Sequence, residues 1–329
     1  MISGVKKDVQ LICPIHKKKL EYNEKENRFI CQNKCSFSII NNIPRFVPYK
    51  NYADSFGLQW NTYKQTQLDS FTKTTISQDR LKRLLGGTFE ILQGKDVLEA
   101  GCGAGRFTEI LLQNGANVFS VDLSAAVEAN YDNCKMYQNY FVCQADITNL
   151  PVSSDTFDLV ICIGVIQHTP DPEKTIDALS SYVKPGGLLV IDHYTYGYPE
   201  TPSRKILHAI LTRMPPQFSM SFVKYLTNIL WPIHKYMRSQ KQNNWIKKGR
   251  TIFLNISPLV DYHDAYPQLQ DEQLKTWAML DTHDTLTDHY KHLRTSSEIQ
   301  NQLLKCGMEN IQIALAGNGI EAKANKPLK

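Results

Sequence analysis

No apolar run in this 329-residue sequence approaches the roughly 20 residues that cross a bilayer; the stretch at 159–166 is among the longest. The opening residues, MISGVKKDVQ, lack the apolar core of a signal peptide. Both point to a cytoplasmic protein, in which eight Cys stay reduced and a disulfide framework is not expected. No repeat or low-complexity tract occurs, so repeat and solenoid architectures are set aside. Acidic residues are missing from 201–250, which hold ten Lys and Arg, whereas 261–298 hold eight acids. The net charge of +5 is therefore local rather than spread. With 42% hydrophobic and 21% charged residues, the chain has the make-up of a globular protein: one large domain, or a domain with an appendage.

Two phosphate-binding signatures are also missing. Residues 97–111 read VLEAGCGAGRFTEIL, with Gly101, Gly103 and Gly105 between an apolar run and an amphipathic one. A dinucleotide loop needs G-x-G-x-x-G, and the position of its third glycine is Arg106; a P-loop needs Gly-Lys-Ser/Thr, which is absent. Glu99, just before the first glycine, would repel phosphate. A cationic or zwitterionic ligand fits better. Around this loop strand-like and helix-like stretches alternate: DVLEAG, RFTEILLQNG, NVFSVDLS, AAVEANYDNC, YFVCQADI, FDLVICIGV, PDPEKTIDALSSYV, a KPGG turn, then LLVIDHY. That rhythm predicts a parallel sheet covered on both faces.

Near the N-terminus, ICPIHKKKLEYNEKENRFICQNKC carries Cys13, His16, Cys31 and Cys35: C-x2-H, fourteen residues, then C-x3-C. The intervening KLEYNEKENRFI alternates about a polar turn, as a hairpin does. Two ligand pairs bracketing a hairpin can meet at tetrahedral Zn²⁺. So short a segment has little core of its own and gains from a metal staple. A structural zinc without catalytic duty is expected; the alternative is three ordinary thiols beside a surface histidine.

E-x-G-x-G-x-G, followed in order by VDLS, QADITNLP, FDLVICIGVIQHTPDPEK and YVKPGGLLVIDHY, resembles the class I S-adenosylmethionine-dependent methyltransferases, close to the branch of quinone-biosynthesis and small-molecule enzymes. The likeness covers about residues 90–195, plus HLRTSSEIQNQLLKCGMENIQIALAG near the end. It implies a Rossmann-like α/β fold with a mostly parallel seven-stranded sheet and helices on both faces. To that fold this chain adds a helical insertion and a small N-terminal β zinc ribbon. The expected divisions are 1–50 (ribbon), 51–195 (N-terminal lid and cofactor-binding core), 196–290 (insertion) and 291–329 (completion of the core).

The same likeness suggests site roles. Gly101, Gly103 and Gly105 let backbone approach the cofactor, and the helix beginning near Arg106 offers its N-terminus to the methionine carboxylate. Glu99 is expected near the ammonium end. Asp122, followed by Leu123, is expected to accept from the ribose hydroxyls. Asp146 and Ile147 are expected at the adenine. Ile163 through His168 are expected to line the floor beside the sulfonium. Phe56, Gln59, Trp60 and Tyr63, at helical spacing, either fold over the cofactor as a lid or form an ordinary packed face.

The insertion should choose the acceptor. In SFVKYLTNILWPIHKYM, Phe222, Leu226, Ile229, Leu230, Ile233 and Met237 recur at helical spacing, with Lys224, Lys235 and Arg238 on other faces and Pro232 placed to bend the helix. This basic, aromatic region suits anionic membrane lipid, a phosphate-bearing acceptor, RNA, or simple packing on the sheet. Further on come His263, Asp264, Asp281, His283, Asp284, Asp288, His289 and His292. Resemblance to a D-x2-D…Y pattern of the small-molecule branch makes Asp281, Asp284 and Tyr290 pocket residues; a metal is the minority option, and Asp288 reads as a solvated loop acid.

The reading is methyl transfer from S-adenosylmethionine to a small acceptor, a hydroxyl of a secondary metabolite, sugar or lipid-linked precursor. A hydroxyl must lose its proton, and His168, His263 and His283 are the candidate bases. One competing reading is an rRNA or tRNA methyltransferase using the basic ribbon, with ten Lys and Arg against four acids in residues 1–50. The absence of N/D-P-P-[FYW] after the fourth strand, where the chain reads IGVIQH, disfavours amine targets. The other is a non-catalytic scaffold that activates partner methyltransferases, against which the intact cofactor motif argues.

Overall fold

The computed structural model describes residues 10–197, 200–240, 242–262 and 264–328. A small antiparallel sheet opens it, with strands β1 (Leu20–Asn23), β2 (Arg28–Cys31), β3 (Ser36–Ile40) and β4 (Ile43–Pro44) paired in sequence order. Helices α1 (Asp54–Thr62), α2 (Asp69–Thr72) and α3 (Ile76–Leu84) follow. The alternating region then runs β5 (Asp96–Ala100), α4 (Thr108–Gln113), β6 (Asn117–Asp122), α5 (Val127–Cys134), β7 (Tyr140–Gln144), β8 (Phe157–Cys162), α6 (Pro172–Tyr182) and β9 (Val183–Tyr194). Four helices make the insertion: α7 (Pro202–Leu211), α8 (Pro216–Ser239), α9 (Asn244–Leu254) and α10 (Asp271–Thr287). Finally α11 (Ser296–Lys305), β10 (Glu309–Ala316) and β11 (Gly319–Asn325) complete the fold.

The large sheet has the order β10-β11-β9-β8-β5-β6-β7. The pairs β5–β6, β5–β8, β6–β7 and β8–β9 are parallel, while β11 is antiparallel to both β9 and β10. This is the Rossmann-like methyltransferase fold that the motif order implied. The chain moves outward from β5 through β6 to β7, then returns to β8 on the other side of β5. The order therefore reverses between β5 and β8, and in open α/β sheets ligands sit beyond the strand ends at such a point.

Alternation along the strands builds two cores. Leu98, Phe119, Val160 and Ile191 pack on one face, and Val97, Val118, Leu159 and Val190 on the other. Local signals set the boundaries. Asp171 caps α6 by accepting from the Lys174 N–H, with Pro172 in the first turn. Thr295 and Glu298 form a reciprocal capping box at α11. KPGG, expected as a turn before its strand, instead lies within β9, whose register against β8 slips between Phe157 and Leu159.

The small sheet shares the large sheet's core: Leu20, Phe29, Phe37 and Phe46 belong to the same cluster as Phe141, Ile147 and Leu150. Backbone bonds tie it to the β7 side, from Phe46 N to Gln144 O at 2.8 Å and from Ile12 N to Pro151 O at 2.9 Å. Arg45 pairs with Glu128 beside them.

In α8 the buried stripe is Ser219, Met220, Val223, Thr227, Trp231 and His234. Ile229 and Ile233, members of the periodic set picked out in the sequence, are exposed. The periodic set straddles two apolar faces of α8: Phe222 and Leu230 pack toward the face that α10 and α1 cover, and Ile229 and Ile233 lie on the other.

Candidate functional site

A cavity of about 450 Å³ opens at the point where the sheet order reverses. Its wall carries Gly101 and Gly103 after β5, Asp122 and Leu123 after β6, Asp146 and Ile147 after β7, and Ile163, Gly164 and Val165 after β8. Gly101 has φ +79°, and a Cβ there would lie 2.2 Å from Val165 Cγ2. Only glycine lets the β5 and β8 loops close on each other. Gly103 (φ +50°) faces the Trp60 ring of α1: a Cβ there would lie 3.5 Å from Nε1.

Asp122 is oriented by three donors: Gly103 N at 3.0 Å, Ser124 N at 2.8 Å and Ser124 Oγ at 2.7 Å. Burial pushes its pKa up against those bonds. Asp146 accepts from Thr148 N and Oγ1, both at 2.8 Å, and so caps the turn that presents Ile147. Phe56 and Trp60 of α1 line the cavity, so this helix covers the loop. Gln59, on the same helix, is buried behind it. Tyr63 packs away from the loop too, against Met279.

Two members of the glycine motif do not reach the cavity wall. Glu99 is 3% exposed and lies beneath the loop, accepting from Thr108 at 2.5 Å and Ser120 at 3.2 Å. Burial pushes it up to about 8, against the pull of those two hydroxyls. It therefore braces the loop from below instead of facing the ligand's ammonium group. Gly105 packs against Cys134 and Asn130.

The opposite wall comes from the insertion: Tyr262, Tyr266, Trp277, Asp281, Asp284 and Thr285. Tyr262 donates to Asp281. Arg106, between the rings of Phe107 and Trp277 at 5.2 and 5.3 Å, donates to Ser77 and Gln67 and keeps Nη2 without a partner. Asp284 Oδ1 is likewise buried without a partner. Burial raises both aspartates, Asp284 well above the carboxylate range, helped by Asp281 beside it. Arg80 also reaches the cavity and pairs with buried Asp192.

The three histidines named as bases differ sharply. His168 lines the cavity, its ring 5.6 Å from Phe56. Its Nδ1 is 3.1 Å from the carbonyl oxygen of Tyr290, so Nδ1 carries the hydrogen and Nε2 the lone pair. His283 is fully buried off the cavity, 2.6 Å from Gln59, and burial pushes its pKa down to about 4. It is a packed core residue, because its side of α10 faces α1. His263 lies outside the described residues. Tyr290 does not line the cavity; its ring stands edge-on to Tyr52, 5.2 Å away, and Tyr52 does.

Asp288, read from the sequence as a solvated loop acid, is fully buried. Its carboxylate lies 3.4 Å from His168 Nδ1, 3.0 Å from His208 Nε2 and 3.2 Å from Lys291 Nζ. Burial alone would raise its pKa, but the two histidines overcome that and hold it at about 2. Arg80, Arg106, Tyr262, Tyr266, Trp277 and Asp288 were not expected at the site. Only Arg106 left a trace in the sequence, as the residue that breaks the dinucleotide spacing.

In the small sheet, His16 Nδ1 is 3.6 Å from Cys13 Sγ, 3.8 Å from Cys31 Sγ and 3.3 Å from Cys35 Sγ. Zinc–sulfur and zinc–nitrogen bonds of about 2.3 and 2.0 Å at tetrahedral angles give N···S edges of about 3.5 Å. The donor atoms of Cys13, His16 and Cys35 lie within 4.8 Å of one another. The stretch from Asp281 to His292 gathers no comparable ligand group among the described residues.

A family model described as a methyltransferase domain matches residues 98–191. A ubiquinone biosynthesis O-methyltransferase of Coxiella burnetii (strain RSA 331 / Henzerling II) is 27% identical over 175 residues, covering 52% of this chain and 69% of the relative. A protein of the same name from Pseudomonas aeruginosa (strain UCBPP-PA14) is 36% identical over 99 residues, 29% of this chain and 43% of the relative. The crystal structure of an S-adenosylmethionine-dependent methyltransferase from Mesorhizobium loti overlays with a TM-score of 0.43 at 15% identity, covering 75% of this chain and 96% of that one. So loose an overlay adds nothing to the strand topology.

Proposed function

We propose that the chain, an S-adenosylmethionine-dependent methyltransferase, methylates a hydroxyl of a small molecule. The observation that carries this reading is one cavity with two chemically different walls: a glycine and carboxylate cradle on the sheet side, with His168 after β8, and an aromatic and Asp281/Asp284 wall facing it. Its volume of about 450 Å³ suits a cofactor with a small acceptor better than a nucleic-acid helix. The relatives named as ubiquinone biosynthesis O-methyltransferases agree with an oxygen acceptor.

The residues present fit the cofactor. Gly101 lets the β5 and β8 loops close on each other, and Gly101 and Gly103 both stand bare on the cavity wall. Asp122, already oriented by Gly103 and Ser124, keeps lone pairs for the ribose hydroxyls. Asp146 and Ile147 would flank the adenine, with Leu123 and Ile163 as apolar walls and Trp60 as cover. When bound, S-adenosylmethionine supplies a methyl group on a positively charged sulfur, already a good leaving group.

The chain's own work is then alignment and proton removal. His168 Nε2 accepts the acceptor's hydroxyl proton as the new oxygen–carbon bond forms. The Tyr290 carbonyl accepts from Nδ1, which keeps the lone pair on Nε2, and the Asp288 carboxylate lies beside it at 3.4 Å to stabilise the ring once it takes a proton. Asp281 and Asp284 orient the acceptor. In the N-terminal sheet Cys13, His16, Cys31 and Cys35 would hold a structural zinc, since their N···S distances match the edges of a tetrahedral site.

The test is transfer of labelled methyl from S-adenosylmethionine to a panel of hydroxylated small molecules, with ribosomal and transfer RNA in parallel. Label on a small-molecule oxygen, lost in His168→Gln, supports the reading. Label only in RNA, or none with any acceptor despite cofactor binding, would falsify it.

A further inference from the structure

Helix α8 carries two apolar faces, and the protein covers only one. The inner face packs on α10: Val223 shares a cluster with Leu280, and Trp231 one with Trp277. The outer face carries Phe218, Tyr225, Ile229, Ile233 and Tyr236, spaced by seven, four, four and three residues. These lie along one side of the helix, and each is at least 39% exposed, Tyr225 as much as 65%. Isolated exposed apolar residues need no explanation, but a continuous stripe of them does.

The neighbouring helices behave alike. No residue of α9 is buried, although Trp245 (84% exposed) and Ile252 stand on it. On α7, Ile206 and Ile210 are exposed. Residues 201–250 hold ten Lys and Arg and no acid; Lys205, Lys235 and Arg250 are paired with Glu200, Asp271 and Asp261/Asp264 from outside that stretch, and Arg204 is buried. Lys224 beside the stripe and Lys247 and Lys248 on α9 are exposed.

We propose that the α7–α9 face docks on an anionic lipid bilayer, with the α8 stripe and Trp245 entering the headgroup–acyl boundary and the lysines meeting lipid phosphates. Aromatic and aliphatic groups on one side with basic flanks are the make-up of an interfacial helix. Exposed isoleucines gain nothing from RNA, and the exposed Lys224, Lys247 and Lys248 oppose a second copy of the same face. Among the described residues no helix is long and apolar enough to cross a membrane, so the contact lies on the surface. The inner face of α8 meets the helix that supplies Trp277, Asp281 and Asp284 to the cavity. Docking therefore leaves only α8 between the bilayer and the helix that carries the acceptor wall. The proposal does not depend on which atom is methylated.

The experiment is co-sedimentation of the full chain with phosphatidylcholine vesicles and with vesicles that also contain phosphatidylglycerol. Binding to the anionic vesicles alone is expected. The triple changes Tyr225→Ser/Ile229→Ser/Ile233→Ser and Lys224→Gln/Lys247→Gln/Lys248→Gln should each weaken it at least about tenfold. Unchanged cofactor affinity and melting would show that these variants fold. Should a triple variant fail to fold, quenching by brominated phosphatidylglycerol reads the same contact in the otherwise unaltered chain. It should appear in the wild type and largely vanish in Trp245→Phe. No binding to anionic vesicles overturns the proposal, as does binding that neither triple variant weakens. Salt-sensitive RNA binding without lipid binding would reassign the face to nucleic acid. A dimer that the serine variant dissolves, again without lipid binding, would reassign it to a second copy.

Discussion

The carboxylate of Asp288 stands 3.4 Å from Nδ1 of His168, and Asp288 is fully buried. The two lie 120 residues apart in the chain, one after β8 and the other at the end of α10. A buried carboxylate behind an imidazole that lines a cavity fixes the ring's orientation and tautomer. His168→Gln is expected to lower kcat about 100-fold, within the usual range for losing a general base. Asp288→Asn keeps the shape and removes the charge, and should lower kcat about tenfold with KM for S-adenosylmethionine unchanged. Steady-state kinetics check both, and equal rates in wild type and His168→Gln would remove the base assignment.

Cofactor binding should depend on Asp122 and on the bareness of Gly101. Losing the charge-assisted acceptor in Asp122→Ala is expected to weaken S-adenosylmethionine binding by about 1–2 kcal/mol, measured by calorimetry. Gly101→Ala combines a left-handed backbone (φ +79°) with a 2.2 Å clash at Val165. It should lower both melting temperature and cofactor affinity, whereas Ala at half-buried Gly249, with nothing within 4 Å of its Cβ, should do neither.

Glu99 makes stability pH-dependent in a direction that can be worked out. Its pKa is raised by burial to about 8 from 4.5. The fold therefore prefers the neutral acid. The stability this contributes is full below the unfolded value and lost as pH rises through about 8. Glu99→Gln keeps an acceptor for Thr108 and Ser120 and cannot ionise. Thermal melts should show the wild type weakening relative to the variant between about pH 4.5 and about pH 8; parallel curves would mean that Glu99 is not neutral in the fold.

Metal analysis of the purified chain is expected to find one zinc per molecule. Cys31→Ser should release it and cost at least about 2 kcal/mol, because a short sheet loses its staple. The loss should be confined to the N-terminal sheet and the β7 side it packs on, readable by hydrogen exchange at Phe46 and Gln144. A metal-free chain that melts as the wild type does would leave the four residues as ordinary side chains.

Much of the site could be read directly. Gly101, Gly103, Asp122 and Asp146 each follow a strand in a linear pattern, and a strand end at the reversal point has one place to go. The spacing of Cys13, His16, Cys31 and Cys35 likewise carried their convergence, since a hairpin returns its ends to each other. Glu99 was harder. The motif locates it in the chain, but the direction of its side chain depends on the pleat, which turns it inward to Thr108 and Ser120. His283 and Asp288 share a short polar run, and nothing in composition says which becomes core, which braces His168, and which meets water.

Local pattern thus decided the alternation of strands and helices along the chain and the loops that could hold a cofactor. These follow from neighbours in sequence: hydrophobic period, glycine freedom, caps and turn residues. What only the folded molecule decided was which face of α8 is covered, that Asp288 stands behind His168, and that Arg106 and Trp277 share one wall with Asp281. Those contacts join segments far apart in the chain, and packing selects among surfaces that are equally apolar or equally charged when read one at a time.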